Sequence, residues 1–338
     1  MKIGKADTSK AVFVIAEIGN NHEGDFSVAE RLIAEAAQAG ADAVKFQTIV
    51  PEKLVVRSDA ARIEQLGKFQ FSRDQFVKLK LRADGEGVMF LSTPFDLESA
   101  EWLDDLVPAF KVASADNTFW PLLDFLTSTG KPLVLSTGLI HHDELISLKR
   151  FLEDGWNRRG MECPGLSFLH CIVNYPTAET DANLARITTL AELNGVVAGY
   201  SDHTLGIDAA ILSVALGARI VEKHFTLDKT RSTFRDHELS ADPNDLKAMI
   251  RSIRRAEALI GCGGWEARDC EAEITPKVRR SIAAKRDLPA GLEIRETDLT
   301  WVRPGTGFPP GSESEVAGRT LARPILAGEI FSMEHFQS

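Results

Sequence analysis

The chain has 338 residues, with 49 Asp and Glu against 39 Lys and Arg, for a formal net charge of −10. That length suits one large domain plus a small one, and the negative balance argues against nucleic acid as the main partner. No apolar run near the start approaches membrane-helix length: AVFVIA (11–16) is cut by Glu17, and the polar residues 1–10 lack the flanks of a secretory signal.

From Val12 to about Ile260 the chain alternates between two patterns, the signature of repeated βα units. Strands are expected at VFVIAEIG (12–19), DAVKFQT (42–48), GVMFLSTPF (87–95), AFKVASAD (109–116) and KPLVLSTG (131–138). Three more follow at LSFLHCIVNYPT (166–177), VVAGYSDHT (196–204) and RIVEKHFT (219–226). Helical spacing fills the gaps; in 27–39, for example, Ala29, Leu32, Ile33 and Ala36 recur at i, i+3, i+4, i+7. Eight strand–helix units predict a closed (β/α)₈ TIM barrel over residues 1–260. The competing open doubly wound sheet lacks a strand leading into GxGxxG.

Nearly every strand ends in polar residues, at the rim where such barrels carry their chemistry. Alternation puts Lys45 with Gln47, Ser201 with His203, and Glu222 with His224 on shared sides, while Lys223 points away toward the helices. His203 and His224 stand at the tips of neighbouring strands. Two imidazoles so placed suit a divalent metal with positions left open for substrate. Segments 50–71 and 227–242 are long for βα connections and are expected at the pocket mouth.

After Ile260 the composition shifts. Residues 261–280, with Gly261, Gly263 and Gly264, are expected to be a linker. Residues 281–338 are turn-rich, and AKRDLPAGLEI (284–294) echoes ARPILAGEIF (322–331), predicting a small β-rich domain with internal pseudo-symmetry. Cys163, Cys171, Cys262 and Cys270 show no CxxC spacing and are expected to be reduced thiols of a cytoplasmic protein.

Nine motifs occur in order: EIGNNHEG (17–24), VKFQT (44–48), STPF (92–95), FKVASAD (110–116), LSTG (135–138), NYPT (174–177), YSDHT (200–204), EKHF (222–225) and WVRPGTG (301–307). Together they closely resemble the sialic acid synthase family, including bacterial N-acetylneuraminate synthases, and the tail resembles the antifreeze-like (SAF) domain of those enzymes. The resemblance implies condensation of phosphoenolpyruvate with an open-chain N-acetylhexosamine such as N-acetylmannosamine, releasing phosphate. Lys45 and Lys111 would supply point charges to phosphoenolpyruvate. Thr93, Ser114, Ser136, Tyr175 and Ser201 match positions that line the same site. A strand-end hydroxyl also serves as a helix N-cap, so each alone says little.

His203 and His224 resemble the family's metal ligands, for Mn²⁺ or Mg²⁺ acting as a Lewis acid on the acceptor aldehyde. Glu17 and Glu222 are candidates for proton transfer to the water that adds at carbon 2, or for orienting ligands; either could instead pair with Lys45. Gln47, Asp116 and Asp236 match positions near the sugar. Arg303 matches an arginine that reaches the partner's barrel, implying a homodimer with exchanged small domains.

Three departures touch these expectations. ASAD stands where the family often has GSGE, Phe234–Arg235–Asp236 replaces a GPD segment, and Val173 replaces a polar residue two before Tyr175. The first two touch the sugar side and open the alternative of a legionaminate-type acceptor. A Schiff-base sialic acid aldolase is the nearest rival enzyme. A non-catalytic carbohydrate- or ice-binding protein would leave the strand-tip lysines and histidines unexplained.

Overall fold

Eight parallel strands form the core of the first unit: β1 (Phe13–Gly19), β2 (Ala43–Thr48), β3 (Met89–Pro94), β4 (Phe110–Val112), β5 (Leu133–Ser136), β6 (Leu166–Cys171), β7 (Val196–Asp202) and β8 (Ile220–His224). They lie in the order β3-β2-β1-β8-β7-β6-β5-β4, and β3 packs beside β4 without a ladder, so the barrel is nearly closed. The computed structural model describes residues 1–337, and the chain divides into two units, Met1–Gly261 and Cys262–Ser338.

Helices follow each strand. α1 (Phe26–Ala39) begins at Asp25, whose carboxylate accepts from the Ser27 and Val28 amides, and ends at left-handed Gly40. Its buried stripe, with Val28, Ala29, Leu32, Ile33 and Ala36, packs on the outside of the barrel. α2 (Pro51–Leu54) and α3 (Ala60–Gly67) lie within the long second connection, before α4 (Arg73–Gly85). α5 (Leu97–Leu103), α6 (Trp120–Leu126), α7 (His142–Arg158), α8 (Arg186–Ala191) and α9 (Asp208–Ala215) continue the alternation. α10 (Asp236–Leu239) and α11 (Pro243–Ile260), capped by Asp242, finish the unit.

Inside the barrel, each strand changes character halfway up. Phe13, Ile15, Ala43, Leu91, Ala109, Val134, Leu169 and Ile220 make an apolar floor, with Ile3 packed against it from an N-terminal hairpin. The next inward positions are Glu17, Lys45, Thr93, Lys111, Ser136, Cys171, Ser201 and Glu222, two residues beyond the floor on every strand but β7, where Ser201 follows Gly199. The floor supplies buried apolar area, and the layer above it supplies the chemistry.

Two strands are shorter than their sequence patterns suggest. β6 stops at Cys171 because Asn174 turns the chain, its side chain accepting from the Tyr175 amide, and Pro176 has no N–H for a ladder. β4 stops at Val112, and Ser114–Asp116 forms a 3₁₀ turn instead. Among the described residues no helix is long and apolar enough to cross a membrane, and all four cysteines are free.

The second unit has its own small core of Ile282, Leu288, Ile294, Leu299, Val316, Leu321, Ile325 and Phe331. Within residues 262–280 a 3₁₀ turn (Asp269–Glu271) and helix α12 (Thr275–Val278) occur. β9 (Ser281–Ala284) pairs antiparallel with β10 (Leu299–Val302). The two halves of the sequence echo meet directly: Leu288 bridges Ile325, and each half turns at a left-handed glycine, Gly291 (φ 81°) and Gly328 (φ 82°).

Candidate active site

A cavity of about 830 Å³ opens at the carboxyl rim of the barrel. Its base is a network of four buried charges. Lys45 Nζ lies 2.7 Å from Glu17 and 3.5 Å from Glu222, and Lys111 Nζ lies 3.7 Å from Glu222. Hydroxyls extend it: Lys45 donates to Thr93 at 3.1 Å, Lys111 to Ser136 at 2.7 Å, and Ser201 to Glu222 at 2.9 Å. Gln47 donates to Glu17 at 3.0 Å and accepts from Asn20 at 3.0 Å.

Local backbone features bring these groups together. The β1–β2 register shifts between Glu17 and Gly19, a bulge of the kind that re-aims side chains at barrel rims. Gly19 has φ 52°, and a Cβ there would press on the Glu17 carboxylate and the Gln47 amide. Gly138 is equally constrained, since its Cβ would come within 2.7 Å of Ser114 Oγ, which accepts from the Gly138 amide.

Burial and neighbouring charges separate the roles of the ionisable groups. Burial raises the Glu17 carboxyl to about 7, against the pull of Lys45 and with a further push from Glu222. Burial acts the same way on Glu222, but Lys111 and Lys45 outweigh it and hold that carboxyl below its ordinary value. Burial would lower Lys45; Glu17 and Glu222 overcome it and leave its pKa raised. Lys111, with less compensation, is lowered by burial. The site thus has one firmly ionised carboxylate and one that gains or loses a proton near neutrality.

The two histidines stand above this network with ring centroids 5.3 Å apart. At that spacing the two rings would hold one divalent ion between them. Burial lowers both pKa values, His224 well below the usual range with His203 and Lys45 adding to the effect, so both rings are neutral and have a lone pair to donate. His203 Nδ1 lies 2.8 Å from the Ile172 carbonyl. A carbonyl only accepts, so Nδ1 carries the proton and Nε2 is left as the donor atom, the usual outer-shell arrangement of a metal-binding histidine. His224 Nδ1 is buried without a hydrogen-bond partner. Among the described residues no three His, Cys, Asp or Glu side chains cluster as a closed site, so the donor set fits an ion completed by non-protein oxygens.

Glu17, Lys45, Gln47, Thr93, Lys111, Ser114, Ser136, Tyr175, Ser201, His203, Glu222, His224 and Asp236 all line this one cavity. Asp116 does not line it: the 3₁₀ turn breaks strand alternation, and Asp116 Oδ2 is buried without a partner, with burial raising the carboxyl to about 6. Arg303 lies exposed in the second unit at the end of β10.

Both long connections lie at the mouth, with Leu54, Arg62, Leu66 and Phe69 from one side and Ser232–Asp236 from the other. Phe69 and Phe234 touch across it, centroids 5.2 Å apart, and the Arg235 guanidinium lies 4.6 Å over the Tyr175 ring. Asn20, Arg62, Phe69 and Cys171 were not singled out from sequence. Asn20 lies inside the quoted EIGNNHEG motif and Cys171 two residues beyond Leu169 on an inward face; Arg62 and Phe69 carry no such periodic signal.

Residues 32–264 match the NeuB family and residues 279–337 match the SAF domain. An uncharacterized protein of Methanocaldococcus jannaschii is 41% identical over 91% of this chain and 90% of its own length. The N,N'-diacetyllegionaminic acid synthase of Legionella pneumophila is 36% identical over 98% of this chain and 96% of its own. The crystal structure of N-acetylneuraminic acid synthetase from Leptospira borgpetersenii, in complex with citrate, superposes with a TM-score of 0.75 at 33% identity, covering 81% of this chain and 94% of that one.

Proposed function

Because the chain belongs to the NeuB family of phosphoenolpyruvate-condensing nonulosonic acid synthases, we propose that its acceptor is an N-acetylhexosamine such as N-acetylmannosamine and its product an N-acetylneuraminate-type acid. The observation that carries the phosphoenolpyruvate half of this reading is the buried Glu17–Lys45–Glu222–Lys111 network beneath His203 and His224 in one cavity; the choice of acceptor rests on likeness to the family. Membership in a phosphoenolpyruvate-condensing family sets aside the Schiff-base aldolase.

Lys45 and Lys111 bind the phosphate and carboxylate of phosphoenolpyruvate, and the hydroxyls of Thr93, Ser114, Ser136 and Ser201 fill remaining oxygen contacts. Carbon 3 of phosphoenolpyruvate then bonds to the aldehyde carbon of the open-chain sugar, and water adds at carbon 2. Glu17, poised near neutrality, takes one proton from that water and passes it to the alkoxide left on the former aldehyde oxygen; the tetrahedral centre at carbon 2 then expels phosphate, which carries off the remaining hydroxyl proton and leaves the 2-keto acid. Glu222, held ionised, keeps both lysines oriented. A divalent ion such as Mn²⁺ or Mg²⁺ on His203 and His224 would supply Lewis acidity toward the aldehyde oxygen. Gln47, Asp236 and Asp116 are assigned to the sugar side, Asp116 from beside the lining residues Ser114 and Ala115. Arg303 is assigned to the N-acetyl group from an exchanged small domain in a homodimer. Free cysteines throughout suit a reducing cytoplasm.

A second reading has an acceptor with a further acetamido group and fewer hydroxyls, of the legionaminate type. Its support is the set of apolar side chains Ile49, Leu54, Leu66, Phe69, Val173 and Phe234 in the cavity lining, against which acetamido methyl and deoxy positions can pack. Phosphate release from phosphoenolpyruvate with a panel of acceptors decides. Turnover with N-acetylmannosamine supports the first reading. Turnover only with diacetamido-deoxyhexoses replaces it by the second, and turnover only with a 6-phosphate overturns both.

A further inference from the structure

The residues immediately before the two histidines form a second pair on the opposite face of the sheet. In the parallel ladder between β7 and β8, Glu222 lies across from Ser201 and Lys223 across from Asp202. Alternation sends Ser201 and Glu222 into the cavity, and Asp202 and Lys223 outward beneath the helices. There Lys223 Nζ sits 2.9 Å from Asp202 Oδ2, with neither side chain exposed to solvent. Neither lines the cavity.

A sealed ion pair is a poor device for stability alone. Desolvating both charges offsets their attraction, and apolar side chains of similar volume hold such a position at least as well. What the pair adds here is position. Asp202 Oδ1 accepts from Tyr200 Oη at 3.1 Å, from the Thr204 amide at 2.8 Å and from Thr204 Oγ1 at 2.7 Å, folding the chain around His203. Lys223 also donates to the Thr204 carbonyl at 2.5 Å. The residue before His224 therefore grips the chain on both sides of His203.

The place of this cross-link matters. The β7–β8 register ends at the Lys223–Asp202 rung, so no ladder continues to His203 and His224. Their carbonyls are held from elsewhere, His203 by the Thr177 amide at 2.8 Å and His224 by the Ala241 amide at 2.7 Å. Beyond the last rung, the side-chain link is what ties one strand tip to the other.

We propose that Asp202 and Lys223 are positioning residues, whose buried cross-link sets the separation of the His203 and His224 rings and through it the affinity of the site for a divalent cation. This rests on the metal assignment made under Proposed function.

The test is Mn²⁺ titration of the purified full chain, followed by electron paramagnetic resonance, for the native protein and the double variant Asp202→Leu, Lys223→Met. The variant is expected to keep its circular dichroism spectrum and bind Mn²⁺ about 10- to 100-fold more weakly, the usual consequence of losing an outer-shell partner. Its affinity for phosphoenolpyruvate without metal should be unchanged, since Lys45 and Lys111 are untouched. A folded variant with native Mn²⁺ affinity overturns the inference and leaves the metal assignment standing. A native protein that binds no Mn²⁺ overturns both. Should the double variant not fold, Asp202→Asn, which can keep the Oδ1 contacts while setting an amide N–H₂ against Lys223, is expected to weaken Mn²⁺ binding several-fold, and unchanged binding in that folded variant overturns the proposal.

Discussion

Glu17 and Lys45 meet across the first two barrel strands at 2.7 Å, with side chains only 3% and 4% exposed. Because burial raises Glu17 to about 7, its proton-accepting form is lost as pH falls through that value. For Glu17→Gln we expect kcat/KM to fall about 10²- to 10⁴-fold, the usual contribution of a general base. The native profile of kcat/KM against pH should show an acid limb near pH 7 that the variant lacks. A variant that retains the limb assigns the proton transfer to another group.

His203→Ala and His224→Ala should each abolish turnover while the barrel stays folded. Both rings face the cavity, and neither belongs to the apolar clusters that hold the unit together. Mn²⁺ binding, measured on the unreacted protein, should disappear with activity. Full turnover by either variant in chelator-treated buffer would refute the metal role.

How much of this could be read from the chain depended on periodicity. The inward columns Phe13–Ile15–Glu17 and Ile220–Glu222–His224 obey strict alternation, so the strand and the facing of its last residues were legible together. Asp116 was not, because a 3₁₀ turn after Val112 cancels the alternation that would have aimed it. Tyr175 reaches the cavity from a turn rather than a strand, held by Asn174 and packed 4.2 Å from the His203 ring. Arg62 on α3 and Phe69 just beyond its end are placed by how the long second connection packs at the mouth, a tertiary effect with no local signature. The Asp202–Lys223 pair was visible only as a lysine pointing away from the site; its burial and partner needed the fold.

Asp116 lends itself to a stability test. Burial raises its carboxyl from 3.8 to about 6, so its contribution to stability is present below the unfolded value and is lost as pH rises through about 6. Asp116→Asn removes that loss. The variant should melt close to the native protein at pH 4 and a few degrees above it, roughly 2–4 °C, at pH 7. If Asp116 also contacts the acceptor, KM for the sugar rises in the same variant while KM for phosphoenolpyruvate does not. Melting curves that stay parallel from pH 4 to 7 would show that the buried Oδ2 carries no such cost.

Arg303 is exposed and makes no side-chain hydrogen bond or ion pair among the described residues. Exposed side chains without partners contribute little to folding, so Arg303→Ala should melt within about 2 °C of the native protein. If the guanidinium holds the acceptor's N-acetyl group, KM for the sugar should rise about tenfold or more, and KM for phosphoenolpyruvate much less. An exchanged homodimer makes a sharper demand. Each active site would then combine one subunit's barrel with the other subunit's Arg303. Co-expressing Arg303→Ala chains with Glu17→Gln chains should therefore regenerate native sites in the mixed dimers, each pairing an intact barrel with an intact arginine. Turnover well above the sum of the two parental variants would establish the exchange. Activity no greater than that sum, from dimers shown to be mixed, would place Arg303 against its own barrel or outside the site altogether.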